Sequence, residues 1–263
     1  SPNVNLDENK GIINVELAGV NDVERERVRK LLEASAHLQF WEVYKAEEIL
    51  PSLQVADKNL QDYLNGVKAG DTTTVKDTAL NTAHNAPLTS LLSQPRDPSS
   101  IATILMKDTA AFNEYINTDA VKTAMPSTAK FLYGVETKDD KGQRFAPVYV
   151  IKTLPGSEKA PLEGEGVAEA RQDYDDKGRP AIKMVMTPSG STTWARLTGK
   201  NVGRPIAIVL DDIVYSAPNV NGAIEGGNSE ISGSFTVEEA QDLANTLKSC
   251  KVSAPGKIVA EQV

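Results

Sequence analysis

The sequence predicts an α+β fold, in which both ends of the chain form a small ferredoxin-like base and a larger head is inserted between them. Residues 11–45 have the pattern of a strand, a helix and a second strand. Near the C-terminus the pattern is again strands, a helix and a strand. Two such units combined in one sheet are the ferredoxin-like pattern. The base is therefore assigned to residues 1–45 and 234–263, and the head to residues 46–233.

Composition excludes several classes of protein. The chain has 263 residues and a net charge of −8. It lacks the basic tracts with which proteins bind nucleic acid. Its longest apolar run, Ile206–Leu210, is far shorter than the roughly 20 residues of a membrane helix. No targeting segment begins the sequence, and the single cysteine, Cys250, excludes an internal disulfide.

The predicted base begins with a strand-like run that starts at Ile12. A helix follows, because Asn21 is a good N-cap and Glu24 stands three residues later, as in a capping box. His37–Lys45 predicts the second strand. At the other end, Thr236 starts a capping box for a helix, and a short strand follows the Pro-Gly break after that helix.

The first part of the head, residues 46–130, is predicted to be mainly helical. Leu60, Tyr63, Leu64 and Val67 have the spacing of one helical face. Asp97-Pro98 predicts the start of another helix, because Pro is favoured at the first helical position; this helix would carry Ile101, Ile104 and Leu105. A further helix contains Phe112, Tyr115 and Ile116 and ends before Pro126, and residues 81–98 are predicted to form a loop.

The second part of the head, residues 131–233, is predicted to be mainly β. Two Asp-Asp-Lys-Gly sequences, at 139–142 and 175–178, each lie between strand-like runs and indicate hairpin turns. Asp211-Asp212 lies between two more β-rich runs and is interpreted as a third tight turn. Trp194 and Leu197 have helical spacing.

No set of residues in the sequence forms a catalytic or metal-binding constellation. Asp173, Asp175 and Gly178 resemble the start of an EF-hand loop, but the later positions lack oxygen ligands, so a plain turn is favoured. Gly164-Glu165-Gly166 lacks the third glycine of a phosphate-binding loop. The remaining candidates, for which a structural role is favoured, are His37, His84, Trp41, Trp194, Cys250, Asp211 and Asp212. We predict no catalytic activity, no metal and no cofactor.

The stretch from Gly164 to Val263 resembles the first periplasmic region, P1, of SecD and of fused SecDF, the accessory subunits of the Sec protein-export channel. The similar segments are 166–171, 175–180, 201–211, 214–218, 224–227, 231–240, 243–247 and 254–255. Residues 11–45 agree more loosely. Two features depart from the pattern: Cys250 stands where the family usually has Gly, and residues 46–130 have no counterpart in the shorter members.

The resemblance implies a place in the RND superfamily of proton-driven membrane proteins. It implies a periplasmic domain of a bacterial inner-membrane protein that binds unfolded preprotein. SecF, separate or fused, the SecYEG channel and YajC are the partners that it implies through the parent protein, with membrane attachment only through flanking helices outside this sequence. A porter-type domain of an RND small-molecule exporter is the alternative, and an envelope hydrolase is a third class.

The predicted boundaries also suggest a hinge, because only two chain crossings join the predicted base to the head. They lie near Lys45, Ala46 and Glu47 and near Gly233 and Ser234. Hinges are a few residues at the ends of elements that absorb changes in backbone angles, and a glycine suits that role. The head is therefore predicted to pivot on the base, although Gly233 could equally end a strand.

Overall fold

A computed structural model describes residues 3–7, 12–16, 37–66, 86–154, 156–157, 159–232 and 235–249. The predicted α+β class is confirmed. The chain divides into two compact units, Ser1–Ser35 with Val252–Val263, and Ala36–Lys251.

In the first unit the described residues form a hairpin. Strand β1 (Asn3–Asp7) pairs antiparallel with β2 (Ile12–Glu16), which confirms the strand predicted from Ile12. The predicted helix after Asn21 and the predicted final strand lie outside the described residues. The ferredoxin-like arrangement of this unit is therefore not confirmed and remains a prediction.

The second unit contains five helices and twelve strands among its described residues. The helices are α1 (Ala46–Leu64), α2 (Thr109–Ile116), α3 (Asp119–Lys122), α4 (Pro188–Lys200) and α5 (Val237–Ser249). The strands are β3 (Leu38–Glu42), β4 (Leu92–Ser93), β5 (Ala102–Leu105), β6 (Ala129–Gly134), β7 (Thr137–Lys138), β8 (Arg144–Lys152), β9 (Leu162–Glu163), β10 (Val167–Tyr174), β11 (Pro180–Met186), β12 (Ile206–Leu210), β13 (Ile213–Ser216) and β14 (Asn228–Ser232).

Nine strands form one sheet in the order β4-β5-β8-β6-β13-β12-β3-β9, with β7 paired to β8. The sheet curls back on itself, because Val43, just after β3, bridges to Ile151 of β8. The Tyr44 N–H donates to the carbonyl of Val150 at 2.8 Å beside that bridge. Strands β8, β6, β13, β12 and β3 thus enclose a small barrel.

Alternation along each strand decides which side chains fill this barrel, since successive residues point to opposite faces. The interior is packed with buried residues from all five strands: Trp41, Val43, Leu132, Tyr149, Ile151, Ala207, Val209 and Val214. The Tyr149 hydroxyl donates to Asp97 Oδ2 at 2.9 Å. The barrel core is therefore a filled apolar interior and not a channel.

Two separate layers cover parts of the barrel exterior. Helix α1 packs its apolar stripe, including Ile49, Leu53 and Leu60, against the outer face of β5 and β8. The second layer is the antiparallel sheet β10-β11-β14 with helices α4 and α5, which covers the outer face of β3 and β12. In that layer Phe40 and Trp194 make an edge-to-face contact, with ring centroids 5.2 Å apart.

The structure corrects two of the predictions. Strand β3 and helix α5 were assigned to the base, but both lie in the unit Ala36–Lys251, and Leu243, Ala244 and Leu247 of α5 are buried in its core. The helix predicted after Asp97-Pro98 is instead a turn followed by β5, whose residues pair with β8. Backbone pairing with β8 outweighs the local helix-start pattern there.

The predicted hairpin turns are confirmed. Asp211 and Asp212 have φ values of 49° and 63°, as a tight turn between twisted strands requires. Their carboxylates also stabilise neighbouring chain: Asp211 Oδ1 accepts from the His37 N–H at 2.8 Å, and Asp212 Oδ1 lies 2.8 Å from Lys130 Nζ. This Asp pair is therefore a turn, as interpreted.

Candidate functional site

The predicted hinge residues Lys45, Ala46 and Glu47 lie inside one compact unit, at the corner between β3 and α1. The Lys45 N–H donates to Glu48 Oε2 at 2.8 Å, which caps the helix. Gly233 and Ser234 lie outside the described residues. The contacts hold Lys45–Glu47 within this unit, and the hinge itself remains a prediction.

Glu48 links this corner to the rest of the unit. It accepts a hydrogen bond from Arg204 and lies 3.6 Å from Lys152 Nζ. Burial raises the pKa of the Glu48 carboxyl, but the hydrogen bonds from Arg204 and Lys45 and the charge of Lys152 outweigh burial, so its pKa lies below its ordinary value of 4.5. Because the pKa of Glu48 is lower in the folded state, its ionised carboxyl stabilises the fold at pH values above its ordinary pKa. This stabilisation is lost as the pH falls through the folded-state pKa.

We expect Glu48→Gln to lower the melting temperature at pH 7 and to have a smaller effect at about pH 3, because protonation of the wild-type carboxyl progressively removes this stabilisation as the pH falls through its folded-state pKa. Thermal unfolding at both pH values measures the difference. Glu47→Gln is the matched control. Glu47 is exposed, and its ion pair with Lys45 Nζ at 4.0 Å is a weak one, so this substitution should change the melting temperature little at either pH. A Glu48→Gln effect that is equal at both values would contradict this account.

The other candidate residues occupy structural positions. Trp41 fills the barrel interior, and Trp194 packs in the second layer while its indole N–H donates to Ser229 Oγ at 2.6 Å. His37 is exposed next to β3. Asp175 closes the β10–β11 turn by accepting the Lys177 and Arg179 N–H groups. His84 and Cys250 lie outside the described residues.

Gly164-Glu165-Gly166 forms a short 3₁₀ turn that packs against the start of α4. Among the described residues, no group of three or more His, Cys, Asp or Glu side chains is placed to hold a metal ion. None of the helices in the described part of the chain combines the length and the apolar character needed to cross a bilayer. The predicted lack of metal, cofactor and catalytic activity stays a prediction.

Four adjacent apolar or aromatic side chains form a surface that we call the barrel patch: Tyr133 of β6, Val135 just after β6, and Ile213 and Tyr215 of β13. Val214 and Leu132 point into the barrel, so their strand neighbours point outward. Strands β6 and β13 are parallel, with Ile213 opposite Tyr133, and the Val135 N–H donates to the carbonyl of Val214 at 3.2 Å. The four side chains therefore lie side by side.

Three of the four side chains of the barrel patch are exposed, although the patch belongs to the central sheet. Val135, Ile213 and Tyr215 keep 44%, 43% and 43% of their surface exposed. The patch lies on the stretch of barrel exterior between the two covering layers, because β8 on one side and β12 on the other are covered. Contiguous exposed apolar residues of this kind are typical of a binding surface.

Tyr133 has the most restricted position in the barrel patch. Its hydroxyl donates to Asn113 Oδ1 of α2 at 2.7 Å. Burial raises the pKa of Tyr133 to about 12, so the hydroxyl stays protonated at neutral pH and remains a donor. Helix α2 thus borders one side of the patch, while the ion pair between Lys130 and Asp212 lies at its end.

The sequence pattern did not identify the barrel patch as a site. Alternation along a strand puts residues 213 and 215 on the same face, but a strand pattern does not tell which part of a sheet face the neighbouring layers leave open. The patch depends on the packing of α1 and of the β10-β11-β14 sheet, which are distant in sequence.

Comparison with known proteins found a family model that matches the region containing most of the barrel patch. Residues 135–254 match the family model described as "SecDF, P1 head subdomain". This part of the chain is similar to the SecDF P1 head family. The SecD and SecDF resemblance predicted from the sequence is confirmed. The SecDF P1 match includes helix α5, in agreement with its position in the unit Ala36–Lys251.

Curated relatives carry the same names. SecD of Rhodothermus marinus is 35% identical over 269 residues, covering 94% of this chain and 41% of the relative. SecDF of Thermus thermophilus is 40% identical over 97 residues, covering 37% of this chain and 13% of the relative. The chain thus spans less than half of either relative. Because the Rhodothermus SecD alignment covers nearly the whole chain, most of segment 46–130 has a counterpart there.

Among solved structures, a chain from "Structure and function of a membrane component SecDF that enhances protein export" aligns with a TM-score of 0.48 at 21% identity. That alignment covers 100% of this chain and 84% of the other chain.

Proposed function

We propose that this chain is the P1 region of a Sec translocase membrane subunit, on the periplasmic side of the bacterial inner membrane. Its role is to bind unfolded preprotein as it emerges from the SecYEG channel and to assist its export by moving with the proton-driven membrane part. SecF, separate or fused, and YajC are the other proposed partners through the parent protein. The domain itself acts by binding and not by catalysis.

The barrel patch is the observation that carries this proposal. An unfolded preprotein presents scattered apolar side chains, which an exposed apolar surface binds without a fixed sequence. The patch offers Ile213 and Tyr215 at 43% exposure each, with Val135 beside them. The SecDF P1 head match includes these three residues, and the relatives are named protein translocase subunits. Those names favour a protein client over the small molecule of an exporter.

We expect the double substitution Ile213→Ser, Tyr215→Ser to weaken binding of an unfolded preprotein at least about tenfold. Burial of one large apolar side chain contributes roughly 1.5–3 kcal/mol, and a factor of ten corresponds to about 1.4 kcal/mol. Fluorescence anisotropy with a labelled, reduced preprotein measures Kd. Both residues are solvent-exposed, so the fold should remain, which circular dichroism checks.

The matched control is Val55→Ser, Val202→Ser, which removes two side chains of 53% and 52% exposure that lie outside the barrel patch. This control should bind preprotein as the wild type does. Equal weakening by both double substitutions, or no weakening by either, would contradict a role for the barrel patch.

A further inference from the structure

Strand β14 forms an open edge of the sheet β10-β11-β14. Among the described residues β14 pairs with β11 alone. An exposed edge strand presents unpaired N–H and C=O groups, which can pair with another chain. Strand β14 has five residues, long enough to hold a short extended segment.

The register shows which backbone groups of β14 face outward. The Met186 N–H donates to the carbonyl of Gly227 at 2.8 Å, just before the strand. Hydrogen-bonded and non-hydrogen-bonded pairs alternate in an antiparallel ladder. Ser229 and Ile231, opposite Met184 and Ile182, therefore direct their backbone groups to β11. The backbone groups of Asn228, Glu230 and Ser232 point to the open side.

An apolar cleft borders the open edge of β14. Its volume is about 160 Å³, and its lining includes Trp194, Ile206, Ile208, Ile224 and Ile231. Ile231 lies on the inner face of the sheet, because it is buried in the core of this layer. Side chains of an added strand that point to the same inner face would enter this cleft.

The outer face of the β14 edge carries one carboxylate, that of Glu230. Glu230 stands opposite Lys183, but the Lys183 ammonium lies 3.1 Å from Asp173 Oδ2. Within the described part of the chain no ion pair reaches Glu230. A second copy of the chain paired antiparallel around Glu230 would bring the two Glu230 carboxylates together, and like charges that face each other across strands are destabilising. The charge favours a basic partner strand.

We propose that an extended segment of an unfolded polypeptide client adds to β14 as a fourth strand, with a basic residue opposite Glu230 and apolar residues on either side of it that enter the cleft. This inference rests on the proposed function and specifies how the client backbone is recognised. Backbone pairing gives affinity that depends little on sequence, while the cleft and Glu230 set a preference for alternating apolar and basic residues.

Two N-methylated isomers of one peptide test the pairing. The probe is a synthetic peptide of about nine residues that alternates isoleucine and lysine, a usual strand length being 3–10 residues. The lysine opposite Glu230 directs its N–H to β14, so methylation of the lysine nitrogens blocks pairing. Methylation of the isoleucine nitrogens affects only the far side. We expect the lysine-methylated isomer to bind at least tenfold more weakly than the other.

Variants of the protein test the same backbone hydrogen bonds between β14 and the added strand. Glu230→Pro removes an outward N–H, whereas Glu230→Ala removes only the carboxylate. Gln172→Pro is the matched control on β10. Gln172 stands opposite Ile182 of β11, and the backbone groups of Ile182 face β14. The pair Gln172–Ile182 is therefore not hydrogen-bonded, and the N–H of Gln172 points away from β11. We expect Glu230→Pro to weaken binding of the unmethylated peptide at least tenfold more than Glu230→Ala does, and Gln172→Pro to leave it unchanged.

Hydrogen exchange on the wild-type chain gives a readout that does not depend on any variant folding. With saturating peptide, the amides of Asn228, Glu230 and Ser232 should exchange at least tenfold more slowly, while that of Gln172 should not change. Equal affinity of the two methylated isomers, or unchanged exchange at β14, would overturn strand addition. If preprotein binding still depends on Ile213 and Tyr215 in that case, only strand addition fails and the proposed function stands.

Discussion

Replacement of Gly190 by alanine should lower the free energy of unfolding by about 3 kcal/mol, the upper end for overpacking. Gly190 lies in the first turn of α4, where its amide donates to the N-cap hydroxyl of Thr187 at 3.1 Å. A Cβ at this position would lie 2.1 Å from the carbonyl oxygen of Gly166. That oxygen also accepts a hydrogen bond from the Thr187 N–H at 2.8 Å. The backbone at Gly166 therefore cannot move away from the start of α4 without loss of this hydrogen bond.

Gly199 of the same helix provides the matched control. A Cβ there would meet only the Cβ of Ala223 at 3.6 Å, an ordinary contact. Because alanine is the better helix former by about 1 kcal/mol, Gly199→Ala should leave the stability unchanged or increase it. Urea unfolding of both variants measures the difference. A Gly190→Ala variant as stable as the Gly199→Ala variant would contradict the close contact between Gly166 and α4.

Replacement of Asp57 by alanine should lower the free energy of unfolding by about 3 kcal/mol. Asp57 lies in α1 and is only 5% exposed. Its Oδ1 accepts the N–H groups of Leu88 at 2.6 Å and Thr89 at 3.1 Å, and its Oδ2 accepts the Thr89 hydroxyl. Hydrogen bonds to a charged group contribute roughly 1.5–3 kcal/mol each, and their loss leaves these donors buried without an acceptor.

Two milder changes at this site separate the contributions of the three hydrogen bonds. Asp57→Asn keeps an oxygen for both backbone N–H groups, and Thr89→Val removes only the hydroxyl bond, so each should cost about 1 kcal/mol. Denaturant unfolding of the three variants gives the order. If Asp57→Ala cost no more than Thr89→Val, the backbone bonds to Asp57 would contribute nothing, contrary to the structure.

Turn residues were the most informative part of the sequence. The hairpins at Asp139–Gly142, Asp175–Gly178 and Asp211-Asp212 are all present, because their geometry depends on a few local residues. Gly142 and Gly178 have φ values of 76° and 72°, a conformation that glycine adopts without strain. Local residue chemistry is therefore sufficient to predict these turns.

The short apolar run after Asp97-Pro98 shows where local chemistry is insufficient. Four residues are too few for helical and strand periodicity to be distinguished. Ile104 is buried against α1 and the neighbouring helices, and Ala102–Leu105 pairs with β8. In the turn before it, Asp97 Oδ1 accepts the Ser99 N–H at 2.7 Å. Asp97 therefore closes a turn and does not cap a helix.

The assignment of elements to the two units depended on contacts between residues far apart in sequence. Strand β3 pairs with β12, so Phe40 stands opposite Ile208 across more than 160 positions. A strand pattern does not specify its partner, since both the base and the head contain suitable strands. For the same reason neither the closed barrel nor the exposed barrel patch could be derived from the sequence.

Site-specific photocrosslinking in the full-length subunit tests most directly whether the barrel patch binds the client. A photoreactive amino acid would replace Ile213 or Tyr215, and Val55 in the control, in cells that hold a stalled preprotein in the channel. Ile213 and Tyr215 keep 43% of their surface exposed, and Val55 keeps 53%, so all three positions are accessible. We predict preprotein adducts from positions 213 and 215 and none from position 55. Adducts that are absent from both patch positions while export proceeds, or that are equal at all three, would contradict the account.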